Sequence, residues 1–143
     1  EYSYWSIPDA LNKGKLVVMN IQQRRKPYIK ADLGDGKAKI KISIKLEGDF
    51  TSIQSNYNYE DNTDTITKAA EDLIKKQIIT FLKRTTDEFD SDICGFGRYV
   101  KGKFLTWDSW KAFEWFDKYK HTAFDIDVEL KVRRTGLMIR TVE

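Results

Sequence analysis

Between residues 37 and 47 the chain alternates without a fault. Ala38, Ile40, Ile42, Ile44 and Leu46 take the even positions; Lys37, Lys39, Lys41, Ser43, Lys45 and Glu47 take the odd ones. Successive side chains of an extended backbone point to opposite faces, so a period of two sorts these residues into an apolar face and a charged one. A helix would scatter the same isoleucines around its axis. The segment is read as a strand with one buried face, ended by Gly48-Asp49. Residues 124 to 133 repeat the pattern, with Phe124, Ile126, Val128, Leu130 and Val132 inward and Asp125, Asp127, Glu129, Lys131 and Arg133 outward. One outer face is lysine-rich and the other begins acidic, so the two strands are expected in one sheet, as neighbours pairing opposite charges.

The rest of the chain is punctuated less regularly. Residues 1 to 13 are mixed. Leu16-Val17-Val18-Met19-Asn20-Ile21 is short and β-branched, and reads as a strand running into Gln22-Gln23-Arg24-Arg25-Lys26, where Pro27 limits pairing. Leu33-Gly34-Asp35-Gly36 has the chemistry of a turn. Residues 51 to 64, with Tyr57 and Tyr59, read as a loop. Asp64 or Thr65 would cap the helix that follows, whose stripe is Ile66, Ala70, Leu73, Ile74, Ile78, Phe81 and Leu82, with Ile79 off it. Gly95 ends that helix at the latest. A second helix is expected over 107 to 119, capped by Thr106, with Ala112, Phe113, Trp115, Phe116 and Tyr119 on its apolar side. The fold class is therefore α+β: a mainly antiparallel sheet with one long and one shorter helix packed on one face.

At 143 residues the chain has the size of one domain that can bury a core without covalent staples. Its single cysteine, Cys94, excludes an internal disulfide and a cysteine-based zinc cluster. No window reaches the roughly 20 apolar residues of a membrane-spanning helix. The chain opens on Glu1-Tyr2-Ser3 without an initiator Met, as a processed protein or an excised domain would.

Between the two helices lies Asp92-Ile93-Cys94-Gly95-Phe96-Gly97, followed by Trp107, Trp110, Phe113, Trp115, Phe116 and Tyr119. As architecture it is specific: an acid closes a helix, two glycines flank a phenylalanine at a turn, and tryptophans open the next helix. Its chemistry is poor. Cys94 has no recognisable base and reads as a small buried apolar side chain. His121, the single histidine, reads as solvated surface. Asp87, Glu88, Asp90 and Asp92 lack the spacing of a calcium loop. Gly95-Phe96-Gly97 has Val100 where a dinucleotide fingerprint needs its third glycine. No catalytic, cofactor or metal residue is assigned. Arg24, Arg25, Lys26, Lys30, Lys37, Lys39, Lys41 and Lys45 allow a basic-faced nucleic-acid module as an alternative, against which the aromatics do not alternate with the lysines on one strand face. Trp107 and Trp110 are the candidate partner contacts, because tryptophan is enriched at interface hot spots. The competing reading has residues 98 to 106 fold over and cover them.

The helix, Asp92, Gly95-Phe96-Gly97, the tryptophans and the closing Arg133-Arg134-Thr135-Gly136, with the Gly34-Asp35-Gly36 turn and Leu46-Glu47-Gly48 before them, resemble one family. The chain is similar to the C-terminal domain of the C subunit of spore germinant receptors, the Ger(x)C (GerAC-like) lipoproteins. It departs from the family at Cys94, at Arg98 and in Phe104-Leu105-Thr106, and either Trp107 or Trp110 matches the family's first tryptophan. The resemblance implies a non-enzymatic domain, the last of several in a lipoprotein. Its lipid anchor would hold it at the outer face of the spore inner membrane, beside transmembrane A and B subunits that respond to small nutrients. It implies no cofactor and no nucleic acid.

Overall fold

The computed structural model describes residues 2–54 and 60–134. Among the described residues five strands, β1 (Tyr2–Pro8), β2 (Leu16–Gln23), β3 (Tyr28–Gly34), β4 (Lys37–Ile53) and β5 (Ala123–Arg134), form one sheet ordered β1-β2-β4-β3, with β5 also paired to β4. The helices are α1 (Thr63–Asp87), α2 (Gly97–Lys101), α3 (Trp107–Phe113) and α4 (Trp115–Lys118), with 3-10 turns at Glu60–Asn62 and Tyr119–His121. The α+β, mainly antiparallel fold read from the sequence is present. The chain divides into two compact units, and β4, α1 and β5 each contribute residues to both.

Among the described residues the first unit holds 2–26, 44–54, 60–74 and 128–134. Here β1 lies antiparallel to β2, from Tyr2↔Gln22 to Pro8↔Leu16. In turn β2 lies antiparallel to the second half of β4, from Gln23↔Leu46 to Val17↔Ile53, with a bulge between Val18 and Met19. Strand β1, in a segment that showed no pattern, is an addition to the sequence reading. The strand expected to stop at Gly48-Asp49 continues to Ile53, because β2 supplies ladder partners throughout: Gly48 faces Ile21 and Asp49 faces Asn20. Residues 51 to 53 are accordingly strand rather than loop, while Tyr57 and Tyr59 lie outside the described residues. Helix α1 starts at Thr63, so Asp64 and Thr65 stand inside its first turn instead of capping it. Asp64 there complements the positive end of the helix dipole.

Burial along β4 departs from strict alternation after Ile42. Ile44 and Leu46 are half-buried, and Glu47, expected outside, is buried. Its Oε1 lies 3.2 Å from Arg24 Nε and 2.9 Å from Arg133 Nη2, too poorly aligned to count as hydrogen bonds, so neutralisation by two guanidinium charges is what makes the burial tolerable. The expected charge pairing between β4 and β5 is present, with Lys45 Nζ 2.9 Å from Glu129 Oε2. That hydrogen bond and the lysine charge hold the exposed Glu129 carboxyl below its ordinary range. Ile7, Val17, Met19, Ile21, Phe50, Ile66, Ala70 and Leu130 are buried, and Glu71 accepts from the Leu130 backbone N–H at 2.9 Å.

The second unit holds residues 27–43 and 75–127. Strands β3 and β4 make a hairpin running from Tyr28↔Ser43 to Gly34↔Lys37. Asp35 (φ 52°) and Gly36 (φ 74°) both take the left-handed conformation that a two-residue hairpin turn requires. The expected stripe of α1 holds at Leu82 but not at Phe81, which is 46% exposed; Thr85 takes the buried position one turn on from Phe81. The helix expected over 107 to 119 is broken. Glu114 sits at φ 53°, ending α3 and starting α4. This break rotates Phe113, Trp115 and Tyr119 into the core and leaves Phe116 exposed, where one continuous helix would have buried it. Thr106 caps α3 as expected, its Oγ1 accepting from Ser109 N at 3.1 Å. In β5 the inward residues Ile126, Val128 and Leu130 are buried and the outward residues exposed. No helix of the described residues is long and apolar enough to cross a membrane.

Candidate functional site

The corner between α1 and α2 is built around one carboxylate. Asp92 Oδ1 accepts from the Phe96 backbone N–H at 2.7 Å, and Oδ2 accepts from the Gly97 N–H at 2.6 Å and from Trp115 Nε1–H at 3.0 Å. Helix α1 has already ended at Asp87, so Asp92 does not close it; the residue fastens the entry to α2, an element not foreseen from sequence. Gly95 turns the chain at φ 71°. Gly97 is needed for a different reason: a Cβ there would sit 2.7 Å from Trp115 Nε1 and 2.9 Å from its Cδ1. Gly97→Ala is expected to push the indole off Asp92 and destabilise the protein by about 1–3 kcal/mol. A chemical-denaturation curve superimposing on the parent's would show that the indole has room to move.

Phe96, 2% exposed, packs against Phe124 at 5.6 Å between ring centroids. Tyr119 stacks edge-on against Trp115 at 5.4 Å and Phe124 at 6.4 Å. Its hydroxyl lies 2.7 Å from Thr85 Oγ1, which is also 2.6 Å from the Leu82 carbonyl oxygen, so the two hydroxyls and that carbonyl form one buried hydrogen-bonded chain. Burial pushes the Tyr119 pKa above its ordinary value of 10.0; the Thr85 contact acts the other way, and Asp92 and Cys94 add to the rise. A phenol whose folded pKa lies above the unfolded one contributes stability that is complete below about pH 10 and is lost as pH rises beyond it. Tyr119→Phe is expected to cost about 1 kcal/mol at neutral pH and to flatten the alkaline fall of Tm. An alkaline limb unchanged in the variant would assign the titration to another group.

The remaining residues singled out by sequence separate on inspection. Cys94, expected to be buried, is exposed, because the turn points Ile93 and Cys94 outward while Phe96 turns inward. Although the residue is exposed, partial desolvation by the surrounding turn, then the charge of Asp92, push the thiol pKa up, which disfavours the nucleophilic thiolate. His121 is exposed and lines, with Lys83, Thr86, Asp87, Lys120 and Phe124, an open cavity of about 300 Å³. Among the described residues no cluster of three metal-ligating side chains occurs.

Trp107 and Trp110 have different fates. Trp110 is half-buried, 5.6 Å from Phe104 and 6.5 Å from Phe113, so the 98–106 connection covers it in part. Trp107 is 55% exposed, with Lys101 Nζ 4.5 Å and Lys111 Nζ 5.4 Å from its ring centroid. On the lysine-rich hairpin, Lys30 is placed opposite Lys41 and Tyr28 opposite Ser43, which sets one exposed aromatic at the end of the basic face. Asp32, opposite Lys39 and 3.5 Å from Lys30, offsets that charge.

Sequence reasoning missed Trp115 as the partner of Asp92 and Thr85 as the partner of Tyr119. Neither pairing carries a local signal, since the partners are 23 and 34 residues apart.

Residues 3–136 match the family model described as Spore germination B3/GerAC like, C-terminal. Among solved structures the chain is similar to one described as the crystal structure of the GerBC protein, with a TM-score of 0.71 and 18% sequence identity. The match covers 94% of this chain and 41% of that one, and at this identity the likeness is one of fold. Comparison with curated proteins found no match.

Proposed function

The chain belongs to the spore germination B3/GerAC-like C-terminal family, and on that premise we propose that it is the last domain of a germinant-receptor C subunit, acting through protein contacts rather than catalysis. In this reading the parent protein is a lipoprotein held by a lipid anchor at the outer face of the spore inner membrane. Its partners are the membrane-spanning A and B subunits, and the complex answers small nutrients. The observation that carries the reading is the family match over residues 3–136. The internal use of Asp92 supports it, because the corner's one carboxylate is engaged by two backbone donors and an indole. Trp107, open and flanked by lysines, and the adjoining half-covered Trp110 are the proposed contacts with the partner subunits.

Deleting the gene in its spore-forming host is expected to slow or abolish the fall in spore optical density after at least one nutrient. The parent protein should co-purify with multi-span subunits from spore membranes. Normal germination toward every nutrient tested, with the protein recovered from the cytosol, would overturn the reading. The basic-faced nucleic-acid alternative makes a different forecast, steeply salt-dependent binding to single-stranded RNA or DNA.

A further inference from the structure

We propose that the apex between α2 and α3 is a docking point for an anionic lipid bilayer, with Leu105 entering the membrane and Trp107 seated at its headgroup level. Leu105 is fully exposed, and the loop that carries it is tied down on both sides. Lys103 N and Phe104 N donate to the carbonyls of Val100 and Lys101, each at 3.0 Å. Thr106 is held in a reciprocal capping box with Ser109. Phe104 packs on Phe113 with ring centroids 4.9 Å apart, beneath the apex. The leucine is therefore displayed by a fixed turn, not left outside by a loose one. A leucine held out of its own core offers no folding advantage, and it lies two residues from an open tryptophan.

The surrounding charge selects the partner. Arg98, Lys101, Lys103 and Lys111 stand against one acid, Asp108, over residues 98 to 111. The Lys101 and Lys111 ammonium groups sit over the Trp107 ring. An aliphatic tip, a tryptophan beside it and a collar of lysines match in sequence the acyl boundary, the interface and the phosphates of a bilayer leaflet. One insertion and a few charges give weak, reversible attachment rather than permanent anchoring. The membrane setting rests on the proposed function, and at Trp107 the bilayer replaces the partner-subunit contact named there; the receptor reading itself rests on the family match, so loss of flotation would leave that reading standing.

The test is flotation of the full chain with phosphatidylcholine vesicles containing roughly one-third phosphatidylglycerol. Binding is expected at low salt, weaker at about 0.5 M salt, and far weaker to pure phosphatidylcholine. Leu105→Ser and Trp107→Ser are each expected to lower the partition coefficient about tenfold or more. Tyr4→Ser, an exposed aromatic in the first unit, should leave it unchanged. Circular dichroism and Tm show that each variant is folded, which is expected because Leu105 and Trp107 are exposed. Absence of flotation at low salt overturns the proposal and returns the apex to a protein partner. Flotation that survives both apex substitutions also overturns it, by placing the binding elsewhere.

Discussion

Phe96→Ala is expected to destabilise the protein by roughly 3–5 kcal/mol, the range for truncating a large buried aromatic. The side chain is 2% exposed and its ring lies 5.6 Å from that of Phe124. Phe124 in turn touches Tyr119, so the cavity would open inside a ring cluster that also includes Trp115. Neighbours held by their own hydrogen bonds, Tyr119 to Thr85 and Trp115 to Asp92, cannot collapse into it freely. This places the cost toward the upper end of the range. Phe96→Leu keeps much of the volume and is expected to cost clearly less. Urea denaturation of the two variants is the measurement. A loss below about 1 kcal/mol for alanine would mean that the ring is not buried in solution.

Asp92→Ala is the second large effect. It removes an acceptor that serves the Phe96 N–H, the Gly97 N–H and the Trp115 indole N–H at once. Hydrogen bonds to a charged acceptor contribute roughly 1.5–3 kcal/mol each, but bonds sharing one carboxylate do not add fully; a total of about 3–5 kcal/mol is expected. Gly97 and Trp115 are buried, so water cannot fully replace the lost acceptor. Asp92→Asn distinguishes charge from shape. Its carbonyl can still accept, while its amide must face a donor, and an intermediate loss is expected. If the asparagine variant matches wild type in denaturation and in near-ultraviolet tryptophan signals, the corner does not depend on the carboxylate.

The two substitutions probe what could and could not be read along the chain. Residues 37–42 and 124–133 were legible because the two-residue period is a property of the extended backbone itself. The pairing of β4 with β5 followed from their complementary faces, and Lys45 does meet Glu129. The reading failed where a distant partner decides. Glu47 is buried because Arg24 and Arg133 reach it, one from the far end of β2 and the other from β5. Gly48, which by composition looks like a stop, stays in the ladder because β2 lies alongside. Glu114 adopts a left-handed backbone that its residue type does not announce, and so divides a helix whose apolar side, Ala112 to Tyr119, reads as continuous. Cys94, small and apolar in a turn, points outward because the same turn aims Phe96 inward.

The sequence by itself determined the α+β class, the alternating strands, the Thr106 cap and, through the Asp92–Gly97 corner with its following tryptophans, the family. These rest on residue spacing along the backbone, which acts over a few residues. Only the tertiary structure decided that Asp92 joins Trp115, that Trp107 stays open while Trp110 is half-covered, and that Leu105 stands fully exposed at the apex. Those outcomes depend on which surfaces the folded chain brings together. Spacing can prescribe a face; the fold supplies what covers it.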